Sequence, residues 1–413
     1  MKNNCETIKK LPTPCYIFDE TECVKRAEKI KQEVNACGGK LCYAIKANPF
    51  LIPGLLPVVD KFEVCSPGEL EICRKYGVPG EKILFSGVVK TKQDIKEAVA
   101  YHVQVITLES LRHWNLLKEV MAEAGYDAIR TIRIMPRLSS GAQFGMEKEE
   151  IRQIIKEQKD CPDVEVEGIH YFTGTQKKGK KYEKELEVAI GFVQELQVTY
   201  HLQNLILEYG PGFAVPYFNG DDFESPYGLI EQFREYISDR KPDCRIDVEL
   251  GRYMAASCGK YITSVVDVKT ADERNYCLVD GGIHQVNYYG SNMAMRTPVI
   301  RHIKCGNTGS DLSGSVVQDE KGEQQSKKEY MICGSLCTFA DILARGVELE
   351  APQIGDRLIF ENIGAYSITE GSYLFLSHAL PMVYLAKQSG EMELLREGIE
   401  SWKINSADHQ RSI

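Results

Sequence analysis

The sequence predicts an α/β fold in which an N-terminal (β/α)8 TIM barrel is followed by a C-terminal β-barrel or sandwich domain. Two observations predict it. Up to about Met254, short β-branched runs alternate with amphipathic helical stretches, and there are eight such runs, the count that closes a parallel barrel. Beyond that point the pattern turns to short strands separated by turn residues, with few helical periods, as in an all-β domain.

Taken in order, residues 1–22 contain the strand-like Thr13-Pro14-Cys15-Tyr16-Ile17-Phe18, which precedes the first helical stretch and is assigned to the β domain. Residues 23–257 are assigned to the barrel. Its strands are expected at Leu41–Ile45, Lys61–Val64, Ile83–Phe85, Val103–Thr107, Thr131–Met135, Gly168–Tyr171, Leu205–Glu208 and Asp247–Leu250. Helices are expected at Cys23–Cys37, Gly68–Tyr76, Thr91–Ala100, Ser110–Ala124, Lys148–Lys156 and Lys181–Thr199. In such a barrel the chemistry sits at the C-terminal strand ends, where Lys46, Gly174, Gly210 and Glu249 fall. Residues 258–404 are assigned to the β domain, with strands at Tyr261–Lys269, Tyr276–Val279, Lys328–Ile332, Arg357–Glu361 and Met382–Ala386. The polar segment Gly306–Lys328 reads as an exposed loop, and residues 405–413 as a flexible tail.

Bulk properties narrow the function. At 413 residues the chain can bury a large core in two domains. A net charge of −9 argues against nucleic acid or an anionic membrane as partner. The start carries no apolar run of a secretory signal, and no stretch reaches the length of a membrane span. The fourteen cysteines include no CxxC pair and read as free thiols of a reducing, cytoplasmic compartment. No Cys/His cluster suggests a metal.

Lys46 closes an apolar strand in Tyr43-Ala44-Ile45-Lys46-Ala47-Asn48. Burial there would lower its pKa toward the neutral amine that Schiff-base chemistry uses. Alone, a strand-end lysine is more often a solvated charge. Its partners far along the chain reverse that reading. Glu249-Leu250-Gly251-Arg252, Gly210-Pro211-Gly212, Cys337 with Asp341, and Gly364-Ala365-Tyr366 together supply what a pyridoxal 5′-phosphate (PLP) site requires. The set resembles the alanine-racemase-like, fold-type III amino acid decarboxylases, a family that includes diaminopimelate and ornithine decarboxylases.

The resemblance implies a role for each residue. Lys46 would carry PLP, with Glu63 among the cofactor-binding residues. Glu249 would sit beside the pyridine nitrogen, and Arg252, after Gly251, would turn toward the phosphate. Gly210 and Gly212 match the family's glycine turn, whose middle position is Pro211 here and lacks an N–H to donate. In Gly168-Ile169-His170-Tyr171-Phe172-Thr173-Gly174-Thr175-Gln176, Phe172 stands where the family stacks a histidine on the ring, and Thr175 replaces its serine. His170 reads equally as a substrate contact or a buried structural histidine. Tyr366 would reach the phosphate, and Cys337, from the partner subunit of a homodimer with shared active sites, would return a proton after CO2 leaves. Asp341 follows in the cysteine motif. Arg296 could bind a substrate carboxylate or be structural.

Thr338 replaces the acidic residue with which the diamino acid enzymes read a distal amino group. The ending Phe375-Leu376-Ser377-His378 also departs from the diaminopimelate pattern. Both resemble a biosynthetic branch that includes the glutamyl-carrier-protein decarboxylase of butirosin assembly. The implied substrate is an amino acid or amino acid conjugate, with an acyl carrier protein as a possible partner and with Thr338, Asp341, His378 and Arg296 around it. A free diamino acid decarboxylase, a racemase and a catalytically dead regulatory homologue are the alternatives.

Overall fold

In the computed structural model, residues 4–123, 130–138, 143–221, 223, 225–289, 294–305 and 327–407 are described. The chain divides into two compact units. One comprises Met1–Thr21, Pro216–Asp222 and Ala256–Ile413, the other Glu22–Val215 and Phe223–Ala255. Within the expected barrel region of residues 23–257, Pro216–Asp222 and the last two residues, Ala256 and Ser257, group with the β-rich unit instead.

The first strand, β1 (Cys15–Asp19), belongs to the β-rich unit. The chain then builds a closed barrel from β2 (Leu41–Ala44), β3 (Lys61–Val64), β4 (Ile83–Phe85), β5 (Val105–Leu108), β6 (Arg130–Ile134), β7 (Val164–Phe172), β8 (Ile206–Gly210) and β9 (Arg245–Leu250). Neighbouring strands pair in parallel all the way round, and β9 returns to β2. The helical stretches fall close to expectation, from Glu20–Ala36 to Lys181–Tyr200, with Gly228–Arg240 between β8 and β9 in addition. Side-chain caps fix several helix starts: Ser66, Thr91 and Ser110 each accept a backbone N–H from the first turn.

The barrel interior is polar. Arg133, fully buried, pairs with Glu208, with Asp247 at 3.2 Å and with Glu167 at 3.2 Å. This network fills the space that aliphatic layers occupy in many barrels.

The β-rich unit continues with β10 (Gly259–Ala271), β11 (Arg274–Val279), β12 (Ile300–Ile303), β13 (Lys328–Cys333), β14 (Ile342–Leu349), β15 (Arg357–Phe360), β16 (Met382–Ala386) and β17 (Met392–Arg396). With β1 they form one mixed nine-stranded sheet, in which β1 runs antiparallel to β10 and parallel to β16. The N-terminal strand is thus paired on both sides within this sheet. The sequence reading missed β12, β14 and β17, whose amphipathic, half-exposed patterns carry weak strand signals. The loop expected at Gly306–Lys328 and the tail expected from residue 405 fall largely outside the described residues. Among the described residues no helix is long and apolar enough to cross a membrane.

Candidate active site

Strand β2 ends at Ala44, and the chain turns through a 3-10 segment, Ile45–Ala47. Buried Asn48 fixes the turn: its Oδ1 accepts the Phe50 N–H at 3.0 Å, and its carbonyl accepts the Tyr43 hydroxyl at 3.0 Å. Lys46 therefore leaves the strand at the barrel's C-terminal end. Its Nζ lies 2.7 Å from Glu63 Oε2, 3.4 Å from Cys65 Sγ and 4.0 Å from Glu249 Oε1. The expected lever on this lysine was burial. Instead its side chain is 40% exposed, and two carboxylates hold its charge.

Strand register explains the grouping. In the parallel pairs flanking β2, Ala44 faces Glu63 on one side and Cys42 faces Glu249 on the other. Burial alone would raise the Glu63 carboxyl, but the Lys46 ammonium, His170 and hydrogen bonds from Lys46 and Ser86 outweigh it and pull it down to about 2. Burial, with Glu63 beside it, pushes the Cys65 thiol well up. His170 is 1% exposed. Its Nδ1 lies 3.2 Å from Thr107 Oγ1, and its Nε2 is 2.8 Å from Glu249 Oε2, a close contact outside linear hydrogen-bond geometry. Both nitrogens of His170 thus face protein groups beneath the site. The Glu63, His170 and Glu249 donors also lie within 4.8 Å of one another, a spacing that could suit a metal ion. The Lys46 ammonium already supplies the positive charge there.

A second group lies at the ends of β7, β8 and β9. Arg252 opens a one-turn helix after Gly251, and its Nε donates to Thr175 Oγ1 at 3.3 Å. The loops after β7 and β8 are interlocked: Lys177 N–H donates to the Gly212 carbonyl at 2.9 Å and Ala214 N–H to the Lys177 carbonyl at 3.0 Å. Gly212 has φ of +61°, and a Cβ there would lie 1.9 Å from the Gly174 carbonyl oxygen, so no larger residue fits. Gly210 departs from the sequence reading, being the last residue of β8 rather than part of the turn. It pairs with Phe172, and a Cβ on it would come within 2.7 Å of the Phe172 ring. Phe172 thus lies over Gly210 with one face partly exposed.

The remaining expected residues lie in the β-rich unit. Asp341 is 3% exposed. Its Oδ1 accepts the Ile283 N–H at 2.8 Å and its Oδ2 the Leu336 N–H at 2.7 Å. Burial raises its carboxyl despite these bonds. Asp341 thus clamps two loops. Cys337 and Thr338, just beyond the clamp, are exposed. Arg296 pairs with Asp221 at 2.8 Å and lies 4.1 Å over the Phe218 ring. Tyr366 has φ of +68°, and the adjacent Ser367 hydroxyl ties it to Asn287 through the Asn287 N–H and carbonyl. His378 lies with its ring centroid 5.5 Å from that of His284, a residue the sequence reading passed over.

The barrel residues fit PLP. Lys46 offers an accessible amine, and Glu249 Oε2 is buried with no hydrogen-bond partner among the described residues, as an oxygen awaiting a protonated ring nitrogen would be. Arg252, Thr175 and the interlocked loops could hold a phosphate. Residues 20–256 match the family model for the pyridoxal-dependent decarboxylase, pyridoxal binding domain. The chain belongs to the pyridoxal-dependent decarboxylases, and it is a PLP-dependent carboxy-lyase acting on an amino acid. It is 26% identical to the L-glutamyl-[BtrI acyl-carrier protein] decarboxylase of Niallia circulans, across 94% of this chain and 92% of that one. It is 25% identical to the 2-[(L-alanin-3-ylcarbamoyl)methyl]-2-hydroxybutanedioate decarboxylase of Staphylococcus aureus, across 92% and 96%. Its fold is shared with diaminopimelate decarboxylase from Helicobacter pylori complexed with L-lysine, at a TM-score of 0.79 and 20% identity over 97% and 98% of the two chains.

Proposed function

We propose that the chain decarboxylates an amino acid conjugate, with the amino acid joined through its side chain to a larger acid or a carrier protein. One observation carries this reading. The loop Gly334–Asp341, which bears Cys337, contains a single carboxylate, and backbone N–H groups occupy both of its oxygens. With Thr338 neutral, a distal ammonium finds no counter-charge on this loop, and leaving a charge unpaired is costly. Two relatives named for conjugated substrates, each matching nearly the whole chain, support the same reading.

In this reading Lys46 anchors the cofactor and Glu63 orients its amine. Glu249, positioned by His170, faces the pyridine nitrogen. Arg252, Thr175, Gly210 and Gly212 surround the phosphate, and Phe172 faces the ring. When bound, PLP supplies the electron-accepting ring that lets an α-amino acid lose CO2. Cys337 of the partner subunit delivers a proton from Sγ to the carbon that lost CO2, which makes the active unit a homodimer. The test is a comparison of kcat/KM for γ-glutamyl thioesters and amides with that for free glutamate, lysine, ornithine and diaminopimelate. Preference for a free basic amino acid would overturn the proposal.

A further inference from the structure

His284 is 2% exposed, yet neither of its ring nitrogens has a hydrogen-bond partner among the described residues. The Ser335 hydroxyl is likewise buried and unpaired. Buried polar groups left unpaired are rare and costly, so two on segments stapled to each other call for an explanation. Their position supplies one. Asp341 fastens Ile283, next to His284, to Leu336, next to Cys337. The Ser335 N–H donates to the Gly281 carbonyl at 2.8 Å, a second staple between the same two segments. Gly282 permits this packing, because a Cβ there would lie 2.8 Å from Asp341 Oδ2 and 2.9 Å from His284 Nδ1. His284 is therefore fixed relative to the Cys337 loop.

The segment that carries His378 is held under strain. His378, whose ring is 5.5 Å from that of His284, follows two residues in the left-handed region, Leu376 at φ 57° and Ser377 at φ 55°. Such conformations persist where the surroundings enforce them. Here Asn405 donates to the Leu374 carbonyl at 2.7 Å and to Ser377 Oγ at 2.9 Å, and the Ser401 hydroxyl donates to the His378 carbonyl at 2.7 Å.

We propose that His284 and His378 form a substrate subsite for the carbonyl linkage, amide or thioester, that joins the amino acid to its conjugate. This rests on the reading that the substrate is a conjugate. Burial, and then His378, hold the His284 imidazole down to about 4, so at neutral pH it offers one N–H and one lone pair. A linkage carbonyl, of an amide or a thioester, accepts from the N–H.

The holoenzyme tests this with His284→Leu, which removes both nitrogens, and His284→Gln, which keeps a donor and an acceptor. Substrates are γ-L-glutamyl methylamide, γ-L-glutamyl pantetheine thioester and free L-glutamate. His284→Leu should lower the kcat/KM ratio of linkage-bearing to free substrate about tenfold, mainly through KM, as loss of one good hydrogen bond would. His284→Gln should recover most of it. The amide and thioester arms show which linkage the subsite reads. Equal losses on free glutamate and on both conjugates would mark His284 as structural and overturn the proposal. A separate titration with 4-amino-N-methylbutanamide follows the imidazole nitrogen resonance of His284, assigned by its absence from His284→Leu. A shift on titration supports the subsite even if the wild-type enzyme shows no preference for conjugates, a result that would defeat the conjugate reading alone. No shift overturns the subsite.

Discussion

Lys46 Nζ lies 2.7 Å from Glu63 Oε2 and 4.0 Å from Glu249 Oε1, so two buried carboxylates share one ammonium unequally. The nearer one, which burial alone would raise, is held down to about 2 with Lys46 and His170 beside it, so it orients the amine and is a weak base for it. The farther one turns its other oxygen toward His170 Nε2, 2.8 Å away and outside hydrogen-bond geometry.

Borohydride reduction of the holoenzyme should leave the cofactor mass on the peptide containing Lys46. Two other lysines are serious competitors, because burial pushes both Lys61 and Lys90 down to about 8. Peptide mapping that found the label on either would overturn the assignment. Lys46→Ala should lose the label and more than about 1000-fold in kcat, comparable to the loss of a catalytic nucleophile.

Glu249→Gln should still bind PLP but lose about 100- to 1000-fold in kcat, the range for removing one preorganised electrostatic contact. His170→Phe, which removes only the group steering Glu249, should cost roughly tenfold. Steady-state assays with absorbance-verified cofactor content decide both, and a Glu249→Gln enzyme of normal rate would require another partner for the ring nitrogen.

Mixing inactive Lys46→Ala and Cys337→Ala chains should restore about a quarter of wild-type activity. Random pairing makes half of the dimers hybrid, and each hybrid has one intact shared site. Native mass spectrometry checks that hybrids form. Hybrids without activity would place both groups in one chain's own site.

Acid should destabilise the fold early. Burial first, aided by nearby charge, lowers His113 and His284 from 6.5 to about 4. Between those values the unfolded chain binds protons that the folded chain refuses, so the stability present above pH 6.5 is lost as pH falls toward 4. Glu63 adds a later loss of the same sign, as pH falls below its unfolded value of 4.5 toward about 2. Thermal melts from pH 7 to 4.5 should show a falling Tm, with a shallower slope in His113→Gln. A flat profile would contradict the burial argument.

Thr338→Glu should raise kcat/KM for lysine or diaminopimelate several-fold, the effect of a partly exposed ion pair. No gain would mean that a distal amino group never reaches this loop.

The architecture was legible because its signals are local. Apolar runs with turn residues between them marked β3, β4 and β16 to the residue. Lys46, Glu249 and Arg252 were legible as motifs at apolar strand ends. The partnerships were not, because they depend on register between distant strands. Nothing near His170 in sequence announces Thr107, 63 residues away, or Glu249. The contact of Arg296 with Asp221 was hidden for the same reason, since Asp221 lies 75 residues before it. His284 carried no motif at all, and only its burial without partners singles it out.

The interlock between the loops after β7 and β8 has a thermodynamic consequence. Pro211 has a fixed φ, and Gly212 is wedged beneath the Gly174 carbonyl. Both loops are thus set by contacts within the barrel, and an incoming anion would have little chain left to order. Association with a preorganised cradle forfeits less conformational entropy. Substituting Gly212 would therefore weaken cofactor retention through restored loop freedom, without removing a single side-chain contact to the phosphate.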